Sequence, residues 1–222
     1  MHTIVCDVTD EAAVAAAVAR ADDVGRFTMC VANAGFGHAA PFHLTSLEDW
    51  NRVLATNLTG VFLTIRAAVT PMVRALAGLE TSESDTASIV AISSIAGPLT
   101  HRFMTPYCVS KAGLEMLVKQ VADELGGSGI RCNAVRPGLV PTDATSALMT
   151  TEVLLNDYLA QMPLGRTGTD RDVAALVRFL LGPQSSWITG QCVGVDGGHT
   201  LRRGPDITSV MEMVLGDQVR PS

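Results

Sequence analysis

SIVAISSIAG (88–97) and TPYCVSKAG (105–113) lie one short loop apart, and their reading decides the fold. SIVAIS at 88–93 reads as a continuous apolar run, the pattern of a strand buried on both faces of a parallel sheet; a half-exposed strand would alternate. A helix is expected from about Tyr107 to Leu125, stopped by Gly126-Gly127. A strand with a helix returning behind it is one unit of an α/β sheet.

The same unit repeats in both directions. Upstream stand a strand at 3–7, an alanine-rich helix from Asp10 to about Arg20 with Asp10 as N-cap, and a strand at 28–32. A long helix over about 46–76 follows, capped by Ser46 with Glu48 and Asp49 in its first turn; Thr70-Pro71 is expected to kink or interrupt it. The polar stretch 80–87 reads as a surface loop. Downstream come a strand at 130–135, an irregular segment at 138–168 with a short helical piece around 151–160, a helix at 169–181 and a strand at 192–196. The expected architecture is one α/β domain over 1–200, a Rossmann-like, doubly wound parallel sheet with helices on both faces. Residues 201–222 break the pattern and read as a C-terminal tail, either partly ordered or packed across a subunit interface.

Tyr107 and Lys111, four apart, share one helix face. A phenol with an ordinary pKa near 10 is a poor acid–base at neutral pH, and a neighbouring ammonium is expected to lower it. Taken alone, such a pair is common on solvated helices. Ser94, thirteen residues before Tyr107, stands where a strand ends, and open parallel sheets build their sites at those ends. Its hydroxyl could polarise a substrate carbonyl, or simply cap the turn as Ser93 also could.

With these residues in view, the sequence resembles the short-chain dehydrogenase/reductase family. The matching motifs run along the chain: Asn33-Ala34-Gly35, Thr56-Asn57-Leu58, Ser94 with Tyr107 and Lys111, Arg131 to Gly138 followed by Thr142, and Trp187 to Gln191 with Val195-Asp196-Gly197-Gly198. The usual residue before the N-A-G turn is Asn; here it is Ala32. The resemblance implies an NAD- or NADP-dependent oxidoreductase that interconverts an alcohol and a ketone by hydride transfer. It assigns proton transfer to Tyr107, the lowering of its pKa and the nicotinamide ribose to Lys111, the substrate oxygen to Ser94, and a relay water feeding Lys111 to Asn57. It places Asn33, Ala34 and Gly35 at the cofactor, together with Pro137, Gly138, Val140 and Thr142 around the nicotinamide. Asp7 and the backbone of Val8 would meet the adenine. It also implies a homodimer or homotetramer built on the helices at 46–76 and 107–125.

The family opens with a strand and a T-G-x-x-x-G-x-G turn that holds the cofactor pyrophosphate. Nothing here matches: Gly126-Gly127-Ser128-Gly129 follows a helix. The expectation is therefore that Met1 is an internal position of a longer reading frame, and that the domain lacks its first βαβ unit. The residue that selects NAD or NADP is absent with it. The rival reading is a catalytically impaired remnant acting, if at all, as an oligomerising or binding protein. Composition narrows the remaining classes. A net charge of -6 argues against a nucleic-acid surface, and no continuous apolar run reaches membrane-spanning length. Five singly placed cysteines fit reduced thiols in a cytoplasmic setting, and the five scattered histidines suggest no metal site. His101 and Phe103 are candidates for the substrate pocket or for a surface loop. Met149, Leu154, Leu155 and Met162 suggest either an apolar pocket or ordinary core.

Overall fold

The computed structural model describes residues 1–77, 87–142, 145, 149–203 and 207–219. Four strands, β1 (Met29–Ala32), β2 (Ala87–Ile92), β3 (Ile130–Pro137) and β4 (Cys192–Val195), form one parallel sheet in the order β1-β2-β3-β4. The helices are α1 (Glu11–Asp22), α2 (Leu47–Leu54), α3 (Gly60–Leu76), α4 (Thr105–Leu125), α5 (Glu152–Gln161), α6 (Asp170–Leu181) and α7 (Thr208–Leu215). Of the loop expected at 80–87, only Ala87 lies within the described residues, and it opens β2.

Strand periodicity divides the core. Ala87, Ile89 and Ala91 of β2 pack toward α3 and α4, among Ile65, Met72, Leu114 and Val118. Val90 faces the other way, onto Val135 and Leu180 with α6 behind them. This double burial is why β2 reads as an apolar run. On β1 the side chains of Met29 and Val31 are 54% and 41% exposed, whereas Cys30 and Ala32 point into the core.

Two expectations are corrected. Residues 3–7 form no strand: among the described residues no strand lies alongside them, and Ile4 and Val5 stay exposed. A parallel ladder supplies its hydrogen bonds from a neighbour, so an apolar sequence without one remains merely extended. Secondly, the helix at 46–76 is not interrupted at Pro71, which lies buried within α3. Its irregularity is a π-turn at Ala55–Thr59, between α2 and α3, and this turn carries Asn57. Within Leu47–Leu76 an 18-residue window is apolar enough to cross a membrane by composition, with a mean hydropathy of 1.4. In the fold its apolar side chains at Val61, Ile65, Ala68 and Met72 cover the sheet instead.

The Trp187 to Gln191 segment is tied to β3 by side chains. Asn133 Nδ2 donates to the Ile188 carbonyl at 2.9 Å, its Oδ1 accepts from the Gln191 N–H at 3.0 Å, and Thr189 Oγ1 accepts from the Cys132 N–H at 3.1 Å. The last described segment folds back on the chain: Arg102 donates to Thr208 Oγ1 at 2.6 Å, His43 Nε2 donates to the Gln218 carbonyl at 3.0 Å, and Val219 is buried.

Arg131 is 4% exposed and holds the end of α6. It donates to the carbonyls of Leu180 (2.9 Å) and Gly182 (3.1 Å) and to Ser185 Oγ (2.9 Å). A guanidinium satisfies several orphan carbonyls of a helix C-terminus at once, which a single ammonium cannot. Arg131→Lys should therefore cost about 2 kcal/mol, read as a lower urea midpoint with unchanged slope. An unchanged midpoint would show that the fork is dispensable.

Candidate active site

β2 ends at Ile92, and the chain leaves the sheet through Ser93 and Ser94 at its carboxyl edge. After a loop, α4 starts at Thr105 with Pro106 in its first turn and lays Tyr107 and Lys111 beside that edge. Lys111 is 3% exposed; its Nζ donates to the Ile92 carbonyl at 2.8 Å and sits 5.7 Å from the centroid of the Tyr107 ring. Burial pushes the ammonium pKa down to about 8. Burial also raises the Tyr107 phenol above its ordinary value, opposed by a hydrogen bond with the Ser94 side chain. The expected lowering of Tyr107 by its neighbour is thus not what this arrangement gives. Both groups are desolvated together, and the ammonium is anchored on a main-chain carbonyl while it faces the ring. Ser94 Oγ accepts from the Ala96 N–H at 3.1 Å, which leaves its own hydrogen for another acceptor.

Asn57 is fully buried behind this group. Its Oδ1 accepts from the Phe36 N–H at 3.0 Å, while Nδ2 donates to the Phe36 carbonyl at 2.9 Å and to Ser110 Oγ at 3.1 Å. Both side-chain hydrogens are therefore committed, and the amide pins the turn after Asn33-Ala34-Gly35 against α4. A Cβ on Gly35 would lie 3.1 Å from Asn57 Oδ1 and 3.3 Å from Lys111 Nζ, so this close approach suits glycine. On the other side, Gly138 bonds the Val195 carbonyl through its N–H at 2.9 Å, and a Cβ there would fall 2.8 Å from Asp196 Cα. The Pro137-Gly138 turn thus seats directly on the Asp196-Gly197-Gly198 turn, whose glycines take φ values of 62° and 85°.

These pieces enclose one cavity of about 310 Å³. Ser94, Tyr107 and Lys111 line it together with Asn33, Gly35, Pro137, Gly138, Val140 and Thr142. Ala34 and Val8 line a neighbouring cavity of about 180 Å³, with Asn33 on both. Asp7 lines neither: its carboxylate accepts from the N–H (2.9 Å) and hydroxyl (2.8 Å) of Thr9, which hold its pKa below the usual range. The residues present fit the nicotinamide half of NAD or NADP, since Asn33 and Gly35 of one turn, Lys111 and the Pro137-Gly138 turn face a single cavity. The same test gives Asp7 no place at that cavity.

Sequence reasoning missed Tyr158 of α5, which is 7% exposed and lines the cavity, because nothing local distinguishes it from core. It also missed Glu115, one turn beyond Lys111. Glu115 accepts from Ser93 Oγ (2.8 Å) and, in a fork, from Arg136 Nε (2.6 Å) and Nη2 (2.5 Å), bracing the loop that carries Ser94. His101 does line the cavity, whereas Phe103 does not. Leu154 and Met162 are buried, and Met149 and Leu155 pack with Leu139 and Met162 in a small apolar cluster rather than on the cavity wall. All five cysteines are free thiols, with Cys30 and Cys132 pushed up to about 11 and about 12 by burial.

Residues 1–200 match the family model described as enoyl-(acyl carrier protein) reductase. The "Inactive 2-(S)-hydroxypropyl-CoM dehydrogenase 2" of Xanthobacter autotrophicus is 39% identical over 199 residues, covering 87% of this chain and 83% of that one. A solved short-chain type dehydrogenase/reductase from Mycobacterium ulcerans superposes with a TM-score of 0.89 at 37% identity, covering 96% of this chain and 75% of that one. A gluconate 5-dehydrogenase from Burkholderia cenocepacia, solved in complex with NADP and tartrate, gives 0.81 at 28% identity, covering 88% and 73%.

The buried ammonium makes a measurable statement about stability. A lysine whose folded pKa of about 8 lies below its unfolded value near 10.5 destabilises the fold by about 3 kcal/mol at neutral pH. That cost fades between about pH 8 and 10.5, where the unfolded chain retains the proton that the folded one has released. Lys111→Met forfeits the Ile92 bond, worth about 1 kcal/mol. It should still raise the unfolding free energy at pH 7 by about 2 kcal/mol, an advantage that shrinks to nothing by about pH 10. A difference that stays constant from pH 7 to 10 would contradict the buried charge.

Proposed function

The chain belongs to the short-chain dehydrogenase/reductase family and is an NAD(P)-dependent oxidoreductase of alcohols and ketones, and from that premise we propose the roles its residues play. The observation that carries the proposal is the convergence of Ser94, Tyr107 and Lys111 with the Pro137-Gly138 turn on one cavity. Dehydrogenase and reductase names among the relatives other than the inactive one favour this reading over an oligomerising remnant.

In the reductive direction a substrate carbonyl oxygen lies between the Ser94 and Tyr107 hydroxyls and accepts from both. Ser94 holds the oxygen and polarises the carbonyl. Tyr107, kept protonated by its raised pKa, transfers its proton to that oxygen as negative charge develops there. The phenolate left behind is stabilised by the ammonium of Lys111, whose charge matters more for being out of water. In the oxidative direction Tyr107 takes the hydroxyl proton back. When bound, NAD(P) supplies or accepts the hydride at the substrate carbon. Asn33, Gly35, Lys111, Pro137, Gly138, Val140 and Thr142 would hold its nicotinamide end, with Lys111 reaching the ribose. Val8 and Ala34 would lie further along it. We assign Asn57 to holding the 33–36 turn and α4 in register.

The substrate is a small molecule, and the reading extends to a homodimer or homotetramer. Half-exposed apolar side chains on α3 and α4 (Phe62, Val73, Val109 and Met116) support such an assembly. Five free thiols support a reducing, cytoplasmic setting.

NADH and NADPH titrated by fluorescence against the purified 222-residue chain should show saturable binding of one or both. Tyr107→Phe should lower turnover by about 10²–10⁴-fold while leaving that binding intact. Substantial turnover in the variant would remove Tyr107 from its role, and absence of binding in the parent would remove the assignment of the nicotinamide site.

A further inference from the structure

Two polar rings line the same cavity without a part in the acid–base chemistry, apart from Asn33 and Thr142 assigned to the cofactor and from Thr145, whose hydroxyl donates to the Val140 carbonyl: His101 in the loop before α4, and Tyr158 on α5. The chain has only two tyrosines, and both face this space. Otherwise the wall carries the apolar groups of Phe36, Ile95, Met104 and Leu139. Among the described lining residues Lys111 is the one charged side chain, and it is already engaged by Ile92.

His101 is 7% exposed, with Nδ1 3.3 Å from the Leu99 carbonyl. A carbonyl can only accept, so the proton sits on Nδ1 and leaves Nε2 as an acceptor. Burial lowers the imidazole pKa, so the ring is neutral at pH 7. Tyr158 is equally buried; its pKa is raised by burial and then by the proximity of Tyr107, so it keeps its hydroxyl proton and is a donor. Its ring is held edge-on against buried His199, with centroids 5.6 Å apart and planes at 88°. Burial lowers the His199 pKa, opposed by the Arg203 main chain and by the Asp196 and Asp157 carboxylates. Its edge-on ring contact steadies Tyr158.

The loop bearing His101 is also fixed. Phe103 adopts φ 69°, a conformation a bulky residue takes only under constraint. Its carbonyl accepts from the Ala40 N–H at 2.8 Å, and the Arg102 guanidinium lies 5.3 Å above its ring.

We propose that His101 and Tyr158 are specificity-determining residues, an acceptor and a donor that together recognise a hydroxyl beside the reacting carbon, and that the substrate is an uncharged hydroxy ketone or the corresponding diol. A hydroxyl both donates and accepts, so it satisfies the imidazole nitrogen and the phenol at once. A carboxylate would bring its charge to the lone pair of a neutral imidazole, in a pocket whose one cation among the described lining residues, Lys111, is held at the Ile92 carbonyl beside Tyr107. The inference rests on the oxidoreductase reading above and adds the substrate class.

The test compares reduction of 3-hydroxy-2-butanone with that of 3-methyl-2-butanone, its isostere with methyl in place of hydroxyl, with acetoacetate as the charged probe. Sites built to pair a substrate hydroxyl reject the analogue that lacks it, so the hydroxy ketone should lead in kcat/KM by about 10-fold or more. His101→Leu and Tyr158→Phe should each collapse that ratio toward one, chiefly through KM for the hydroxy ketone. His101→Gln, which restores an acceptor, should recover part of it. A parent enzyme that reduces both ketones equally, or prefers acetoacetate, overturns this inference and leaves the oxidoreductase reading standing. Variants that lower both rates in proportion overturn it as well. A parent that binds neither NADH nor NADPH and reduces none of the probes overturns both.

Discussion

An ammonium withdrawn from water at the carboxyl edge of the sheet sets terms for the rest of the site. Lys111 reaches the Ile92 carbonyl only because α4 lies against β2 and β3, and that packing rests on the interior of Ile89, Leu114, Val118 and Ile130. Desolvation costs the fold free energy at neutral pH, and the same desolvation gives the charge its reach over Tyr107. Stability is thereby exchanged for an electrostatic field at one point, the trade expected where a fold carries chemistry.

Around that point the chain is held by pairings that leave little freedom. Asn57 pins both main-chain groups of Phe36 from a π-turn, whose extra residue in the helical path accompanies the inward placement of its side chain. Glu115 is buried but compensated by the Arg136 fork and by Ser93, so the segment after β2 is braced from below. That bracing tolerates no side chain above it, because a Cβ on Gly97 would come within 2.4 Å of Glu115 Oε1. Gly138 resting on Asp196 joins the turn after β3 to the turn after β4. The cavity is thus the meeting place of three strand ends, each fixed by a different contact.

What the sequence disclosed and what it withheld follow from range. Ser94, Tyr107 and Lys111 were legible because strand end, helix face and spacing are local properties, and the expected elements at 28–32, 88–93, 130–135 and 169–181 appear within two residues of their places. The strand at 3–7 was overcalled because periodicity describes a segment, whereas a ladder requires a neighbour. Pro71 was given too much weight: a buried proline inside a packed helix costs one hydrogen bond and need not break it, while a π-turn has no pattern in composition. The direction of the Tyr107 shift was misjudged because the spacing placed a charge nearby without revealing how deeply both groups are buried.

The division between chemistry and selection follows the same line. Groups proposed to move the proton are spaced along one strand–helix unit, so their geometry is inherited from regular structure. The remaining walls come from segments far apart in sequence and joined by individual side-chain contacts. Arg102 meets Thr208, His43 meets Gln218, Arg203 pairs with Asp157 at 2.5 Å beside Tyr158, and His199 supports the Tyr158 ring. Each contact is exposed or single and contributes little alone, so these walls can be altered with small effect on the sheet. A fold arranged in this way keeps its reaction while its substrate changes: the acid–base is tied to the core, whereas the groups proposed to read the substrate sit on the loop before α4 and on α5.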